Sequence, residues 1–302
     1  MGKKAARTML YLGLIALAIS CFLLYSNNAI KISRFTVNIK ELPGDCAGLR
    51  IVHISDLHGK TFGRQNRRLA GAINRLEPDL ILVSGDMIDS HSDDGSAFID
   101  LLGTLAGRYP VYCSLGNHEQ IVQGMTASDR YGHFVKRLRD SGAILLDNER
   151  AEIDKNGATF GIYGLTAMLY HYSSEEMAEI WEGAGLKATF IEDQLGPPQD
   201  GEVTILLAHN PKYFQEYVRW GPDLICAGHI HGGVIRLPLL GGLLSPDLTF
   251  FPPYSAGLYY SGETTMHVSR GLGNSVIPFR ILNRPDLSLI ELKPLEIPES
   301  GR

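Results

Sequence analysis

A chain of 302 residues has room for one large α/β domain or two small ones. Its composition, 44% apolar and 20% charged, is that of a globular protein and excludes a disordered chain. The net charge is −5, and once Lys3, Lys4 and Arg7 are set aside, 25 basic residues face 33 acidic ones, leaving a body of −8. An acidic body argues against a broad nucleic-acid surface. If it binds a phosphate ester, something other than its own basic residues must supply positive charge, and bound metal ions would do so. Cys21, Cys46, Cys113 and Cys226 have neither CxxC spacing nor the density of a disulfide framework. Cys113 and Cys226 fall in strand-like apolar runs, as buried thiols do.

Behind the basic flank lies an uncharged stretch from Thr8 to Asn28, most apolar over Met9–Tyr25. Such a length is near the lower end of the roughly 17–25 residues that span a bilayer. Phe22-Leu23-Leu24 prolongs the apolar run where a cleavage site would fall, and Ala18 before Ser20-Cys21 is a poor match to a lipoprotein processing site. Residues 1–30 are therefore expected to be an uncleaved membrane anchor rather than a signal segment, and residues 31–302 a single catalytic body. The expected location is a single-pass membrane protein with that body extracytoplasmic, although Lys31, Arg34 and Lys40 after the segment nearly balance the basic residues before it.

In the body, Phe35–Ile39 alternates like a strand, and apolar runs at Leu49–Ser55, Leu80–Ser84 and Val111–Leu115 are separated by helical sequence near Asn66–Leu76 and Ala97–Leu105. Such βα units build a largely parallel sheet. The second half offers strands around Ile153 and at Phe160–Gly164, Val203–Leu207, Asp223–Cys226, Met266–Ser269 and Ser288–Leu292. Helices are expected near Ser173–Glu182, Lys187–Gln194 and Pro211–Arg219. Two sheets face to face with helices outside would absorb this many strands.

The chemistry gathers at the ends of those apolar runs: Ser55-Asp56-Leu57-His58, Gly85-Asp86-Met87-Ile88-Asp89, Gly116-Asn117-His118-Glu119, Ala208-His209-Asn210 and Gly228-His229-Ile230-His231. Functional groups of open α/β sheets collect beyond the carboxyl ends of strands, so the five pieces can converge on one crevice. Any one of them is commonplace, since Gly-Asp is an ordinary turn and a lone Asp-x-His is usually a surface pair. All five in series are a metal-ligand set. Imidazole, carboxylate and amide oxygen together suit Mn, Fe, Zn or Co better than magnesium, with Mn favoured. Glycines before Asp86, Asn117 and His229 allow tight turns and close backbone approach.

This ordered pattern resembles the calcineurin-like metallophosphoesterase superfamily. The resemblance implies a four-layer α/β/β/α sandwich of two mixed sheets, here preceded by a transmembrane helix, and a centre holding two divalent metal ions. Asp56, His58, Asp86 and His231 would hold the first ion, and Asp86, Asn117, His209 and His229 the second, with Asp86 as the bridge. His118, off the metals, would contact the phosphate with Asn117 and protonate the leaving group. The reaction implied is in-line attack on a phosphodiester by a metal-bridging hydroxide. Asp89 is expected to orient a ligand from outside the centre. His53 is expected to be a satisfied core imidazole, and His133, His171 and His267 structural or solvent-facing. His91 is near enough to the Asp86 loop to reach substrate.

Ser269–Gly273 and Asn283–Asp286 further resemble a membrane-anchored bacterial phosphodiesterase branch, some of whose relatives act on lipid-linked nucleotides such as UDP-2,3-diacylglucosamine. Arg270 is then a candidate phosphate contact. Leu237–Leu244 and Phe250–Tyr254 are apolar for a loop region. They read either as irregular structure packed over the sheet, the expectation adopted, or as a lip toward lipid. A phosphomonoesterase, a lipid-nucleotide pyrophosphatase and a non-catalytic metal-binding scaffold are the rival functions. The expected partners are the phosphate-ester substrate, with lipid-linked esters among the candidates, and the membrane; no protein partner is inferable.

Overall fold

The computed structural model describes residues 2–91, 93–125, 129–172, 185–246, 248–274 and 277–295. It opens with helix α1 (Lys3–Asn28), long and apolar enough to cross a membrane, whose side chains are exposed along most of its length. Strand β1 (Lys31–Ile39) follows immediately.

One sheet runs β1-β14-β2-β3-β4-β5, with β2 (Arg50–Ile54), β3 (Leu80–Val83), β4 (Val111–Cys113) and β5 (Ile144–Leu145) mutually parallel and β14 (Asp286–Pro294) antiparallel to β2. The other runs β12-β13-β9-β8-β7-β6. Its parallel centre is β7 (Ala158–Leu165), β8 (Val203–Ala208), β9 (Leu224–Ala227) and β13 (Thr264–Val268). Antiparallel β6 (Glu149–Lys155) and β12 (Gly257–Ser261) close the edges.

Strand alternation sorts the apolar residues into three layers of contact. Ile51, Leu80 and Leu82 point between the sheets, where they meet Ile162, Ile205, Leu207 and Cys226. Their neighbours Val52, Ile81 and Val83 face the other way and pack under helices α2 (Arg67–Asn74), α3 (Ser96–Leu105) and α5 (Arg130–Asp140). On the far side, Leu206 and Ile225 pack under α6 (Ala188–Leu195) and α7 (Phe214–Trp220), through Ile191 and Tyr217. Three cores between four layers give the α/β/β/α sandwich.

Helix α4 (Asn117–Gly124) and α5 were not anticipated. Their apolar content is low, and α4 begins inside the Gly116–Glu119 motif. The expected helix at 173–182 lies outside the described residues. The clearest departure concerns the apolar stretch after His231. Part of it is a hairpin, β10 (Ile235–Leu237) with β11 (Gly241–Leu244), whose strand residues are mostly half-buried and whose tip side chains are exposed. Leu239, Leu240, Phe250 and Phe251 are all exposed rather than packed over a sheet. A two-residue-thick ribbon with a three-residue tip has no second face on which to bury them.

His53 occupies the inter-sheet space, its Nδ1 2.7 Å from His267 Nδ1 and its Nε2 2.8 Å from Ser84 Oγ, and so is the satisfied core imidazole expected. Ile205 sits at the centre of the inter-sheet core with no exposed surface. Ile205→Ala should lower stability by about 2–5 kcal/mol, measured as a shifted urea midpoint of the full chain in detergent with an unchanged m-value; a shift under about 0.5 kcal/mol would show that the sheets do not pack there.

Candidate metal centre

The carboxyl ends of β2, β3, β4, β8 and β9 point to one side, and the loops leaving them meet there. Asp56, His58, Asp86, His229 and His231 all adopt a left-handed backbone, with φ between 46° and 67°. Non-glycine residues rarely do so, at a cost of roughly 1–3 kcal/mol each, and such strain collects at functional sites. The close approach needs glycine at two points. A Cβ on Gly116 would fall 2.1 Å from Asp86 Oδ1, and one on Gly228 would fall 1.9 Å from Ser55 Oγ.

The result is a compact cluster. Ligand-capable atoms of Asp56, His58 and His231 lie within 4.8 Å of one another, and so do those of Asp86, His209 and His229. His58 Nε2 is 3.1 Å from His231 Nε2 and 3.7 Å from Asp86 Oδ2, which links the two groups. Asp86 Oδ2 is also 3.0 Å from His209 Nε2, and Asp56 Oδ1 is 3.4 Å from His231 Nε2. Asn117 opens α4 with Oδ1 buried, and neither that atom nor the buried Asp56 Oδ2 has a hydrogen-bond partner among the described residues. Buried acceptors without donors are costly, and a cation satisfies both. The donor set and these two atoms fit a pair of divalent ions.

Electrostatics point the same way. Burial raises the Asp56 carboxyl to about 6 despite the opposing pull of His209. Burial also works against a charged His209, but the Asp86 and Asp56 carboxylates outweigh it and lift that imidazole to about 9. The site thus draws positive charge even onto a buried histidine. His58 is held down to about 3, and His231 well below its ordinary value, by burial first. Neutral imidazole is the form that ligates metals.

Several side chains hold this arrangement from behind. His209 Nδ1 lies 2.6 Å from the Ser84 carbonyl, which fixes its ring and leaves Nε2 facing the cluster. The amide of His229 donates to Asp56 Oδ1, and that of His118 to Asp86 Oδ1, both at 2.9 Å. Two contributors were missed in the sequence. Glu119, third residue of α4, is buried, and its carboxylate accepts from the amides of Asp86 (2.9 Å), Met87 (2.7 Å), Ile88 (3.2 Å) and Gly116 (2.9 Å), binding two of the five loops together. Its place three residues after Gly116 is the capping-box spacing, a signal that was available. Arg280 is buried, with Nη1 donating to the His231 carbonyl at 3.2 Å and Nη2 3.3 Å from His231 Nδ1. No local pattern marks it, because the contact spans 49 residues of sequence.

His118 stands beside the cluster, its ring centroid 4.4 Å from that of His58. The Ser90 amide donates to His118 Nδ1 at 3.0 Å, so the neutral ring carries its proton on Nε2. Asp89 lies beside His118. Its Oδ1 accepts from the His91 amide at 2.8 Å and lies 3.0 Å from His91 Nδ1, while Oδ2 is 3.9 Å from His118 Nδ1. The ligand-capable atoms of His118, His58 and Asp86 themselves lie within 4.8 Å of one another. His91 is itself exposed and His133 lies on the surface of α5; His171 is buried. Arg270 lies one step from the cluster, its Cγ 2.8 Å from where a Gly232 Cβ would be, and lines a neighbouring cleft with Arg236.

A buried carboxylate–histidine–amide cluster at converging strand ends is the centre of a metal-dependent phosphoester hydrolase. The sequence profile of the calcineurin-like phosphoesterases matches residues 49–233, and the chain belongs to that family. It is 31% identical over 276 residues to a zebrafish (Danio rerio) transmembrane protein with a metallophosphoesterase domain, covering 87% of this chain and 57% of that protein. It is 29% identical to the Bacillus subtilis metallophosphoesterase YkuE (87% of this chain, 86% of that one) and 30% identical to the Escherichia coli phosphodiesterase YaeI (82% and 83%). The chain thus spans a little over half of the zebrafish relative and most of the two bacterial ones. The family's centre is dinuclear, and the apolar α1 together with the transmembrane relatives suggests a single-pass membrane protein.

Replacing Glu119 by Gln puts an amide NH₂ where an oxygen accepted two backbone donors. Glu119→Gln should cost at least about 2 kcal/mol and lower the metal content of the purified protein, read by thermal melting and elemental analysis. An unchanged melting temperature and metal content would rule out the loop-joining role.

Proposed function

We propose that the chain is a membrane-anchored phosphodiesterase in which Asp56, His58, Asp86 and His231 hold one divalent ion, and Asp86, Asn117, His209 and His229 hold the other. The observation that carries this reading is the convergence of five strand-end loops on one cluster in which Asp56 Oδ2 and Asn117 Oδ1 are buried without hydrogen-bond donors. A bridging carboxylate at Asp86 offsets the mutual repulsion of two ions, and its Oδ2 lies close to both His58 and His209. Manganese suits the mixture of carboxylate, amide oxygen and imidazole. When bound, the ions supply Lewis acidity and a nucleophile at neutral pH.

His118 is the candidate general acid. The Ser90 amide donates to its Nδ1 and leaves the ring proton on Nε2, where a general acid would hold it. Asn117 and His118, adjacent at the start of α4, are the candidate substrate contacts. Arg270 is a further contact for a substrate that extends into the cleft beyond Gly232. The preference for diesters draws on YaeI, whose name is that of a phosphodiesterase. Residues 1–30 form the anchor and residues 31–302 the catalytic domain, placed outside the membrane although the basic residues on the two sides of α1 nearly balance.

His118→Ala should lower kcat on a chromogenic phosphodiester by about 10²–10⁴-fold with metal content unchanged, and Asp86→Asn should lose metal and activity together. Full activity in His118→Ala would remove the acid assignment. Absence of turnover by the metal-replete wild type on monoesters, diesters and lipid pyrophosphates alike would favour a non-catalytic scaffold.

A further inference from the structure

The lower end of α1 is fastened to the body at one patch. Lys60 Nζ donates to the Asn27 carbonyl at 2.5 Å, Arg68 to that of Asn28 at 3.3 Å, and Arg284 to those of Ala29 and Ile30 at 2.9 and 2.8 Å. Asn27 Oδ1 accepts from the Arg280 amide at 2.9 Å. The next residue, Ile281, bonds the β10 hairpin through Val234 and Arg236, both at 3.0 Å. Helix end, residues 280–282 and hairpin are therefore side by side.

Along this span bulky apolar side chains are turned outward. Leu239 is fully exposed, Phe250 is 68% and Phe251 58% exposed, and Leu240 and Leu282 stand out beside them. Leu239, Phe251 and Leu282 adopt left-handed backbone conformations, φ 69°, 50° and 56°, which apolar residues rarely accept. A soluble surface has no use for strain that presents leucine and phenylalanine to water; an exposed patch of this kind marks an interaction site. Behind the rim is a cleft of about 690 Å³ whose lining includes Arg236 and Arg270. Lys31 and Arg284 stand nearby. Burial lowers the Lys31 ammonium, and the charges of Arg270, Arg236 and Arg284 lower it further, against Asp286. An otherwise acidic body gathers cations where its anchor ends.

We propose that this face, formed by the hairpin tip, residues 248–251 and residues 279–282, enters the headgroup layer of the bilayer that α1 crosses, with Arg236, Arg270 and Arg284 against anionic headgroups. The inference rests on the anchor reading above. Its occupant is lipid because the patch is continuous with the end of α1 and pairs an apolar rim with a cationic base, the composition of an interfacial membrane contact. Docking of this kind sets the cleft, and His231 across Gly232, at the membrane surface, so that the substrates in reach are phosphoesters presented by the bilayer.

The test uses the full chain carrying Cys21→Ser, since Cys46, Cys113 and Cys226 are buried. It is reconstituted in vesicles of equal parts phosphatidylcholine and phosphatidylglycerol. Nitroxide labels are placed singly at Leu239→Cys, Leu240→Cys or Phe251→Cys, at Ala16→Cys in α1, and at Asn156→Cys in the exposed β6–β7 turn. Oxygen, which partitions into lipid, should relax the labels at 239, 240, 251 and 16, whereas a water-soluble nickel chelate should relax the label at 156. Omitting phosphatidylglycerol, or adding Arg236→Gln, should shift the label at 239 toward the nickel reagent. Labels at 239, 240 and 251 relaxed by nickel while that at 16 is relaxed by oxygen would overturn the docking face and leave the anchor standing. Nickel relaxation at 16 as well would remove both. Protection of the tip labels from both reagents would mean that protein covers the face, which also overturns the proposal.

Discussion

Two carboxylates, Asp56 and Asp86, are buried at the ends of adjacent parallel strands, with ring nitrogens of His209 and His231 at 3.0–3.8 Å. Anions removed from water are costly unless they are paired. The loops around them are shaped by that requirement. Backbone amides of His229 and His118 are turned toward the carboxylates, His209 is held with one nitrogen against a carbonyl and the other toward Asp86, and five ligand residues accept left-handed backbone conformations. The remaining charge is what a pair of cations would neutralise.

The sandwich makes this affordable. Parallel strands put successive loops on one side, and side-chain alternation fills three cores, so the strained turns hang from a rigid frame. Glu119 joins the loops after β3 and β4 through four amide bonds, and Arg280 pins the His231 loop from the far end of the chain. Arg280 also touches Asn27 through its backbone. The end of α1 and the His231 loop are therefore joined through Arg280, beside the contacts that Lys60, Arg68 and Arg284 make to residues 27–30.

Much of this was legible in the sequence because the signals are local. The first ligand of each loop follows an apolar run by one to three residues, and the nearly unbroken apolar runs of Leu80–Val83 and Val203–Leu207 mark strands buried on both faces. The cluster of Asp56, His58, Asp86, His209, His229 and His231 follows from that placement once the strands are parallel. The hidden parts are those that depend on distance or on geometry. Arg280 reaches His231 from 49 residues away, and the Asp89 carboxylate is brought to 3.9 Å from His118 by the path of one turn. The exposure of Leu239 and Leu240 is not legible in the apolar run Leu237–Leu244, because hydrophobicity alone does not distinguish a covered segment from one held open.

The dinuclear centre is the claim on which the rest stands, and electron paramagnetic resonance of the manganese-loaded full chain tests it most directly. Two manganese ions bridged by Asp86 should give an exchange-coupled spectrum that appears as the second ion binds, with two ions per chain. A spectrum of isolated manganese at saturation, with one ion per chain, would contradict the account.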